Sequence, residues 1–248
     1  MTVDDLRRLE RVHVRAWPAL ETARIQGWLW RHSGGGSQRA NSVSAIDFEG
    51  GSPEAALDEV EARYREKGAP ARLHSFSAGR PAKLPEILGA RGYRQGEQTL
   101  TMAKAVAKPV PVDGEPSTLA AADWLEVYLE AITENRRKVN SMILAAVPEP
   151  RAFFAFREGR RVISTALCVA EPEGADGSFA VIECVATREH ARRRGGARAV
   201  LAAVEHWACR REIRLLGLQV SEANTAAIAL YASLGFAAVD RNRFWVRD

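Results

Sequence analysis

The sequence contains few of the residues that build disulfide, metal or membrane proteins. It has three cysteines in 248 residues, at positions 168, 184 and 209. This odd, small number does not suit a disulfide scaffold, and the spacing fits no zinc site, so we expect no metal. No run of about 18 uncharged apolar residues occurs, which argues against a membrane span. The first residues lack the basic and apolar segments of a secretory signal, so we expect a cytoplasmic protein.

The charge is also close to balanced. Lys and Arg number 35 and Asp and Glu number 31, which gives a net charge of +4. The chain as a whole therefore lacks the strongly basic composition of nucleic-acid-binding proteins, and we do not expect nucleic acid as a partner. Hydrophobic residues make up 46% of the sequence. That fraction is ordinary for a globular enzyme or binding protein.

A segment rich in Pro, Val and Gly divides the chain. Residues 105–116 read AVAKPVPVDGEP. Proline removes backbone donors and disfavours helix before it, so this composition predicts an extended linker. We therefore predict two domains, residues 1–105 and 117–248, joined by residues 106–116. Both lengths are ordinary for a domain.

Helical and strand patterns alternate in both halves. In the first half we expect helical structure over 3–24 with an interruption near Pro18, helices at 53–67 and 81–90, and strands at 28–33, 40–47, 73–77 and 93–105. In the second half we expect helices at 120–137, 197–211 and 224–234, strands at 151–157, 161–170, 179–187 and 215–220, and a final strand pair over 236–246. This order predicts an α/β (α+β) fold, in which helices flank a mixed central β-sheet.

The two halves share a weak internal repeat. Matching residues lie 144 positions apart in two predicted helices: Leu57 and Leu201, Val60 and Val204, Glu61 and Glu205. Gly92 and Tyr93 match Gly235 and Phe236 at an offset of 143. The matches follow the same order of elements, so the sequence predicts a tandem of two related domains.

A basic turn lies between a predicted strand, IECVAT, and a predicted helix. The turn and the helix start carry Arg192, Arg193, Arg194, Gly195, Gly196, Ala197 and Arg198. N–H groups at a helix start point outward, the helix dipole attracts anions, and glycine allows close approach. The pattern predicts a diphosphate site. It is neither a Walker loop nor a Rossmann fingerprint, because the residues that define each are absent.

A second motif follows about thirty residues later. It contains Asn224, Ala227, Leu230, Tyr231, Gly235 and Phe236. With Arg192, Gly195 and Ala197 in the basic turn, residues 117–248 resemble the GCN5-related N-acetyltransferase (GNAT) superfamily. The resemblance implies a GNAT fold and transfer of an acetyl group from acetyl-CoA to an amine, by direct attack in a ternary complex. The amine could belong to a small molecule, a peptide or a protein.

The resemblance also implies roles for individual residues. The backbone of Val185, Ala186 and Thr187 would bind the pantetheine arm and the acetyl carbonyl, and the amides of residues 193–198 would bind the diphosphate. Asn224 and Tyr231 are seven residues apart, so they face the same side of a helix. Asn224 would bind the cofactor arm. Tyr231 would also contact the cofactor, and would protonate the departing thiolate as the general acid.

Glu183 is our candidate for the general base. It is a carboxylate in an apolar strand, and burial would raise its pKa toward a useful value. Some members of the superfamily carry a glutamate on the next strand, but that position here is Gln219, which cannot accept a proton. Two alternatives remain for Glu183. Solvent could act as the base, and Glu183 could form a structural ion pair with an arginine.

The first half lacks the two sequence motifs that would bind the acetyl donor. Phe48 to Pro53 align with the basic turn but carry no arginine, and no Asn-x-x-Ala-x-x-Leu-Tyr precedes Gly92. We therefore expect a degenerate GNAT-like half that binds no CoA. Trp28 and Trp30 share a strand face and could form a packed domain interface. Alternatively, Arg39 and Asn41 could form a substrate-binding wall.

Two other functional classes remain open. The chain could be a non-catalytic acyl-CoA-binding regulatory module, which would bind CoA without turnover. It could also bind nucleic acid through the arginine turn, with strong salt dependence. Oligomers are possible through pairing of the final strands.

Overall fold

A computed structural model describes residues 1–107, 120–172 and 178–248 of the chain. The helices in these ranges are α1 (Val3–Ala16), α2 (Pro53–Glu66), α3 (Leu84–Ala90), α4 (Ala122–Glu130), α5 (Glu134–Ala145), α6 (Gly196–Arg210) and α7 (Thr225–Ser233). The strands are β1 (Glu21–Ile25), β2 (Trp28–His32), β3 (Val43–Ala45), β4 (Ala71–Ser75), β5 (Arg94–Ala105), β6 (Arg151–Glu158), β7 (Arg161–Ala170), β8 (Phe179–Thr187), β9 (Leu215–Ser221) and β10 (Ala237–Arg247). None of the described helices has the length and apolarity needed to cross a membrane.

The strands form a mixed ten-stranded sheet that runs through both halves of the chain. Its order is β1-β2-β3-β4-β10-β5-β9-β8-β7-β6. The pairs β3–β4 and β8–β9 are parallel, and neighbours such as β6–β7 and β5–β9 are antiparallel. Each half contributes strand, strand, strand, helix, strand, helix and strand, in that order. The predicted mixed sheet and the predicted tandem of related units are confirmed.

The last strand of each half lies against the other half. β5 pairs with β9 on one side and with β10 on the other. β10 in turn pairs with β4. One sheet therefore runs from the first half into the second without a break. The division into domains at 1–105 and 117–248 stays a prediction. Residues 108–116 of the predicted linker lie outside the described residues.

Helices cover both faces of the second half. On one face, Val204 and Trp207 of α6 share a buried core with Ile182 of β8. On the other face, α4 and α5 pack with Val181 of β8, and so does Leu9 of α1. The first helix of the chain therefore belongs to the core of the second half.

Local signals account for the start and end of α2. The Ser52 side chain accepts a hydrogen bond from the N–H of Ala55, and Pro53 fits the first turn because it needs no donor there. Gly68, with φ +61°, follows the helix in the left-handed conformation that favours glycine. The prediction of a helix starting at Pro53 is confirmed.

In three places the predicted number or type of elements was wrong. The first helix ends at Ala16, close to the expected interruption near Pro18, but the residues beyond it form β1 and not a helix, because Gln26 and Gly27, both at positive φ, turn the chain into a β1–β2 hairpin. The expected helix over 120–137 is two helices, since α4 ends at Glu130 and α5 begins at Glu134. The expected final strand pair is the single strand β10.

The exchange of strands predicts that the second half does not fold alone. A fragment of residues 120–248 lacks β5, so β9 and β10 lose their common neighbour, and it lacks the buried face of α1. We expect this fragment to aggregate or to lack a cooperative unfolding transition, measured by gel filtration and circular dichroism. Co-expression with residues 1–107 should recover a folded complex. A monomeric, cooperatively folded 120–248 fragment would contradict the prediction.

Candidate active site

Strands β8 and β9 separate in the middle of the sheet. Their parallel pairing runs from Phe179 and Leu215 to Ile182 and Leu218 and ends there. Beyond this point β8 pairs with β7, and β9 pairs with β5. The facing edges of the two strands therefore open into a cleft. Val185, Ala186 and Thr187 lie on the β8 side of this cleft.

A β-bulge marks the start of the cleft. The β7–β8 register shifts between Thr165 and Leu167, and Cys184 has φ +54°. A bulge bends its strand and redirects the backbone groups next to it. Positive φ is uncommon for a residue other than glycine, so the packing must enforce it. The bulge turns residues 185–187 away from β9.

The basic turn leads from the end of β8 into α6. Arg193 has φ +65° and Gly195 has φ +85°. Alternating left-handed residues in a turn direct successive N–H groups toward one side, which favours anion binding. Arg192 N–H is bonded to Glu189 O, and the next loop-to-helix bond runs from Ala199 N–H to Gly195 O. Ala197 follows in the first turn of α6.

Gly196 has a packing role as well. It is buried at the first position of α6, and a Cβ there would collide with Ser164 Oγ of β7. Glycine therefore lets the helix start lie directly on the sheet. This contact brings the positive end of the α6 dipole next to the cleft.

The arginines of this region differ in their contacts. Arg188 is bound to Glu126 and Glu130 of α4, so it is not available to an anion. Arg194 lies 3.3 Å from Glu158, and Arg198 donates to Ser233 Oγ.

Arg192 and Arg193 are exposed and have no ion-pair partner among the described residues. The free positive charge therefore lies at the tip of the turn.

Helix α7 carries the second motif. Asn224 caps the helix, and its Oδ1 accepts a hydrogen bond from Ala227 N–H at 3.1 Å. Tyr231 is buried against Phe236, with their rings edge to face at 6.1 Å. Burial, and to a lesser extent the charge of Glu183, raise the pKa of Tyr231 to about 12. The hydroxyl therefore stays protonated at neutral pH.

Glu183 is ion-paired, and the expected direction of its pKa shift was wrong. Burial would raise the pKa, but the charge and hydrogen bonds of Arg39, together with His13, lower it to about 2. Arg39 Nη1 and Nη2 donate to the two carboxylate oxygens at 2.7 and 2.6 Å. His13 Nδ1 lies 3.6 Å from Oε1. The role of Glu183 as the base stays a prediction.

A second buried carboxyl lies behind this pair. Glu10 of α1 is 1% exposed and accepts hydrogen bonds from Gln219 Nε2 at 2.7 Å and from Thr101 Oγ1 at 2.5 Å. Arg39 Nη1 donates to Gln219 Oε1 at 3.5 Å. Burial is the main cause that raises the pKa of Glu10 to about 8. Gln219 thus links a neutral carboxyl to the Arg39–Glu183 ion pair.

The polar network continues into the first half. Asn242 Nδ2 donates to Thr101 Oγ1 at 2.9 Å, and Asn242 Oδ1 lies 2.8 Å from His74 Nε2. Burial lowers the pKa of His74 to about 3, so His74 is neutral. Because β4, β10, β5 and β9 each contribute one side chain, the network crosses the centre of the sheet.

A cavity of about 420 Å³ opens beside the ion pair. Its lining includes Arg39, Gln219, Arg136 of α5 and Glu97 of β5. Arg136 Nε is buried and has no hydrogen-bond partner among the described residues. Both halves contribute to the lining of this cavity, and a substrate-binding role for Arg39 stays a prediction.

The other candidate residues of the first half are structural. Asn41 binds its own turn, through Gly35 O, Ser37 O and Ser33 N–H. Trp28 and Trp30 pack against α2 in the core of the first half, rather than at an interface between the halves.

The segment aligned with the basic turn leads into α2 at Pro53, which has no N–H. The donor motifs of the second half are thus absent here.

Sequence reasoning missed Glu10 and His13, and it did not pair Arg39 with Glu183. Glu10 and His13 lie three residues apart on one face of α1, next to the apolar residues Leu9 and Val12. Polar residues within an apolar helix face are a recognisable signal. What the sequence could not provide was the packing of α1 on the second half.

The fold is that of the GCN5-related N-acetyltransferase superfamily. A solved GCN5-related N-acetyltransferase from Kribbella flavida has a TM-score of 0.68 and 14% identity, covering 97% of this chain and 94% of that chain. A tandem GNAT protein from the clavulanic acid biosynthesis pathway has a TM-score of 0.64 and 14% identity, covering 99% of this chain and 87% of that chain. At this identity both show the fold alone.

Residues 3–245 match the family described as "Probable histone acetyltransferase Rv0428c C-terminal", and the chain belongs to that family. A Bacillus subtilis (strain 168) protein described as the uncharacterized N-acetyltransferase YobR is 26% identical over 263 aligned positions. The match covers 99% of this chain and all of that protein. These relatives support acetyltransferase activity in general.

The raised pKa of Glu10 predicts a pH-dependent stability. Between about pH 4.5 and pH 8 the unfolded chain loses the Glu10 proton while the folded chain keeps it. The free energy of unfolding should therefore fall as pH rises, by at most about 1.4 kcal/mol per pH unit from this group. In the Glu10→Gln variant this pH-dependent contribution should vanish. Urea unfolding at several pH values measures the free energy of unfolding of both proteins. Glu86→Gln, at an exposed helical position, is the control. Parallel profiles for wild type and Glu10→Gln would contradict the prediction.

Proposed function

We propose that the chain is an N-acetyltransferase that transfers the acetyl group of acetyl-CoA to an amine. One observation carries the proposal: β8 and β9 separate beyond Ile182 and Leu218, directly before a turn of open amides and free arginines. Such a cleft offers backbone hydrogen bonds to an extended amide-containing arm, and the helix start offers charge to a diphosphate. The proposal that the chain acts in the cytoplasm rests on the sequence alone.

Backbone groups and side chains would each bind a part of acetyl-CoA. The N–H groups of residues 193–198 and the side chains of Arg192, Arg193, Arg194 and Arg198 would hold the diphosphate, with Gly195 and Gly196 giving close access. Val185, Ala186 and Thr187 would bind the pantetheine arm. Asn224 uses its Oδ1 in the helix cap, so its Nδ2 is left to donate to the same arm.

Tyr231 would supply the proton for the leaving group. Its pKa of about 12 keeps the hydroxyl protonated, and its hydroxyl has no hydrogen-bond partner in the described part of the chain. As the carbon–sulfur bond of the thioester breaks, the hydroxyl would donate its proton to the thiolate sulfur. The new bond forms between the amine nitrogen and the acetyl carbon.

Glu183 would act through its charge. With a pKa of about 2 it is ionised at any working pH and is a weak base. We propose that the carboxylate stabilises the positive charge that develops on the attacking nitrogen. The proton of the amine would then leave through water to solvent. Arg39 would hold the carboxylate in place.

The acceptor would enter through the cavity of about 420 Å³ beside Arg39 and Gln219. Glu97 offers a negative charge for an ammonium group, and Arg136 offers an unpartnered donor. This lining favours an amine that carries further polar groups. Both halves of the tandem would contribute to acceptor binding.

The Tyr231→Phe variant tests the chemistry. We expect kcat to fall about 100-fold because the leaving thiolate loses its proton donor, while coenzyme A affinity stays within about twofold. Release of free thiol from acetyl-CoA with a panel of amines gives the rate, and calorimetry gives the affinity. Tyr93→Phe removes a hydroxyl bound to Glu61 in the first half and should leave the rate unchanged.

Unchanged turnover in Tyr231→Phe would reject the general acid. Tight coenzyme A binding without thiol release from any amine would favour an acyl-CoA-binding module. Absence of coenzyme A binding would reject the donor site itself.

The Arg39→Met variant tests the ion pair. Without the guanidinium, burial raises the pKa of Glu183 above its ordinary value of 4.5. The pH profile of kcat/KM should then gain an acidic limb, because activity falls as Glu183 takes up a proton. Glu183→Gln in the Arg39→Met background should remove that limb. The same pH profile in wild type and Arg39→Met would contradict the proposed role.

A further inference from the structure

The proposed reaction does not use a cavity of about 440 Å³ that is lined mainly by the first half and also by Ala146 and Pro148 of the second half. It lies on the face of β1–β3 opposite the face covered by α2. In the second half, the corresponding face carries Leu167 and Val169 and is covered by α4 and α5. In the first half, the residues at this face are Leu29 and Arg31, and the cavity lies between them and one edge of α1.

A buried cation lines this cavity. Arg31 is 2% exposed, and its Nε donates to Ser42 O at 3.2 Å and its Nη1 to Trp17 O at 3.5 Å. In the described part of the chain no carboxylate lies within ion-pair distance of this guanidinium, and Nη2 has no acceptor. Burial lowers the pKa of Arg31 to about 9, which reflects the cost of an uncompensated charge.

Two further polar groups at the cavity lack partners. Ser44 is 3% exposed, and its Oγ has no hydrogen-bond partner among the described residues. Arg15 Nε is buried and equally without a partner, although Nη2 of the same side chain bonds Glu149 O. Both residues line the cavity with Arg31. Buried polar groups are normally satisfied, so two unpartnered groups beside the buried Arg31 guanidinium favour a ligand in this cavity.

The charge and the remaining lining define the ligand. Asp47 also lines the cavity, but Arg11 binds it in a bidentate pair at 2.9 and 2.7 Å. The described lining of the cavity therefore leaves no carboxylate to neutralise the positive charge of Arg31. Apolar side chains form much of the rest of the wall: Val14, Pro18, Ala19, Leu29 and Ile46.

We propose that this cavity binds a small amphipathic carboxylic acid, with its carboxylate on Arg31 and Ser44 and its apolar body against Leu29 and Ile46. A guanidinium pairs with a planar carboxylate through two parallel hydrogen bonds, and a hydroxyl can donate a third. The volume suits a small molecule. The apolar side chains that form much of the wall favour this ligand over a phosphate. The proposal is independent of the acetyl transfer.

Binding of 3-phenylpropionate to the full chain tests the proposal. We expect saturable binding by calorimetry and a rise in melting temperature, since a ligand of the folded state stabilises it. The uncharged 3-phenylpropionamide and inorganic phosphate should bind at least about tenfold more weakly. Arg31→Met should weaken 3-phenylpropionate binding at least about tenfold, and Ser44→Ala by about threefold. Arg63→Met, on α2 outside the cavity, is the matched control.

Several results would overturn the proposal: no binding of 3-phenylpropionate at about 10 mM, equal binding of the amide or of phosphate, or unchanged binding in Arg31→Met. Competition by saturating coenzyme A would place the ligand in the donor cleft and would also overturn it. If Arg31→Met does not fold, Leu29→Trp carries the test. Its larger side chain fills the cavity and should abolish binding, and retained affinity would reject the site.

Discussion

β5 lies between β9 and β10, and the arrangement of the whole molecule follows from this pairing. Antiparallel hydrogen bonds to both neighbours make the last strand of the first half an interior strand of the common sheet. β10 must then pair with β4, because the position next to β9 is taken. The two halves are thus joined by backbone hydrogen bonds rather than by side-chain contacts alone. A fixed relation between the halves allows residues far apart in sequence to form one site.

The Arg39–Glu183 ion pair depends on that fixed relation. Arg39 precedes β3 in the first half, and Glu183 lies on β8 in the second half, so their bidentate contact requires the halves to be held in register. A buried carboxylate without a partner would take up a proton or destabilise the fold. The first half therefore determines the protonation state of a group in the second half. This dependence of Glu183 on Arg39 gives a physical reason why a half without acetyl-CoA-binding motifs accompanies a half that has them.

Much of the fold was predictable from the sequence, because local patterns determine it. The strand β8 and the start of α2 follow from β-branched residues and from the Ser52–Pro53 helix start, and the repeat follows from matching residues 144 apart. β1 and the α4–α5 break were missed, since a two-residue turn and a three-residue interruption are weak signals. Strand exchange was not predictable, because no local pattern distinguishes which half an extended strand joins. The predicted shift in the pKa of Glu183 was wrong for the same reason. Burial can be expected from the local sequence, whereas the contact with Arg39 is a tertiary contact that the local sequence does not indicate.

The same exchange explains why the two halves bury their sheets differently. α1 directs Leu9, Val12 and Ala16 toward the core of the second half, so its other edge faces β1–β3 with Arg11 and Arg15. Long arginine side chains cannot fill an apolar space as Leu or Val would, because their charged ends require polar partners. A cavity next to Leu29 and Arg31 is the consequence. A duplicated unit that shares its first helix with its neighbour thus retains an open sheet face, and in this chain that face holds a buried positive charge.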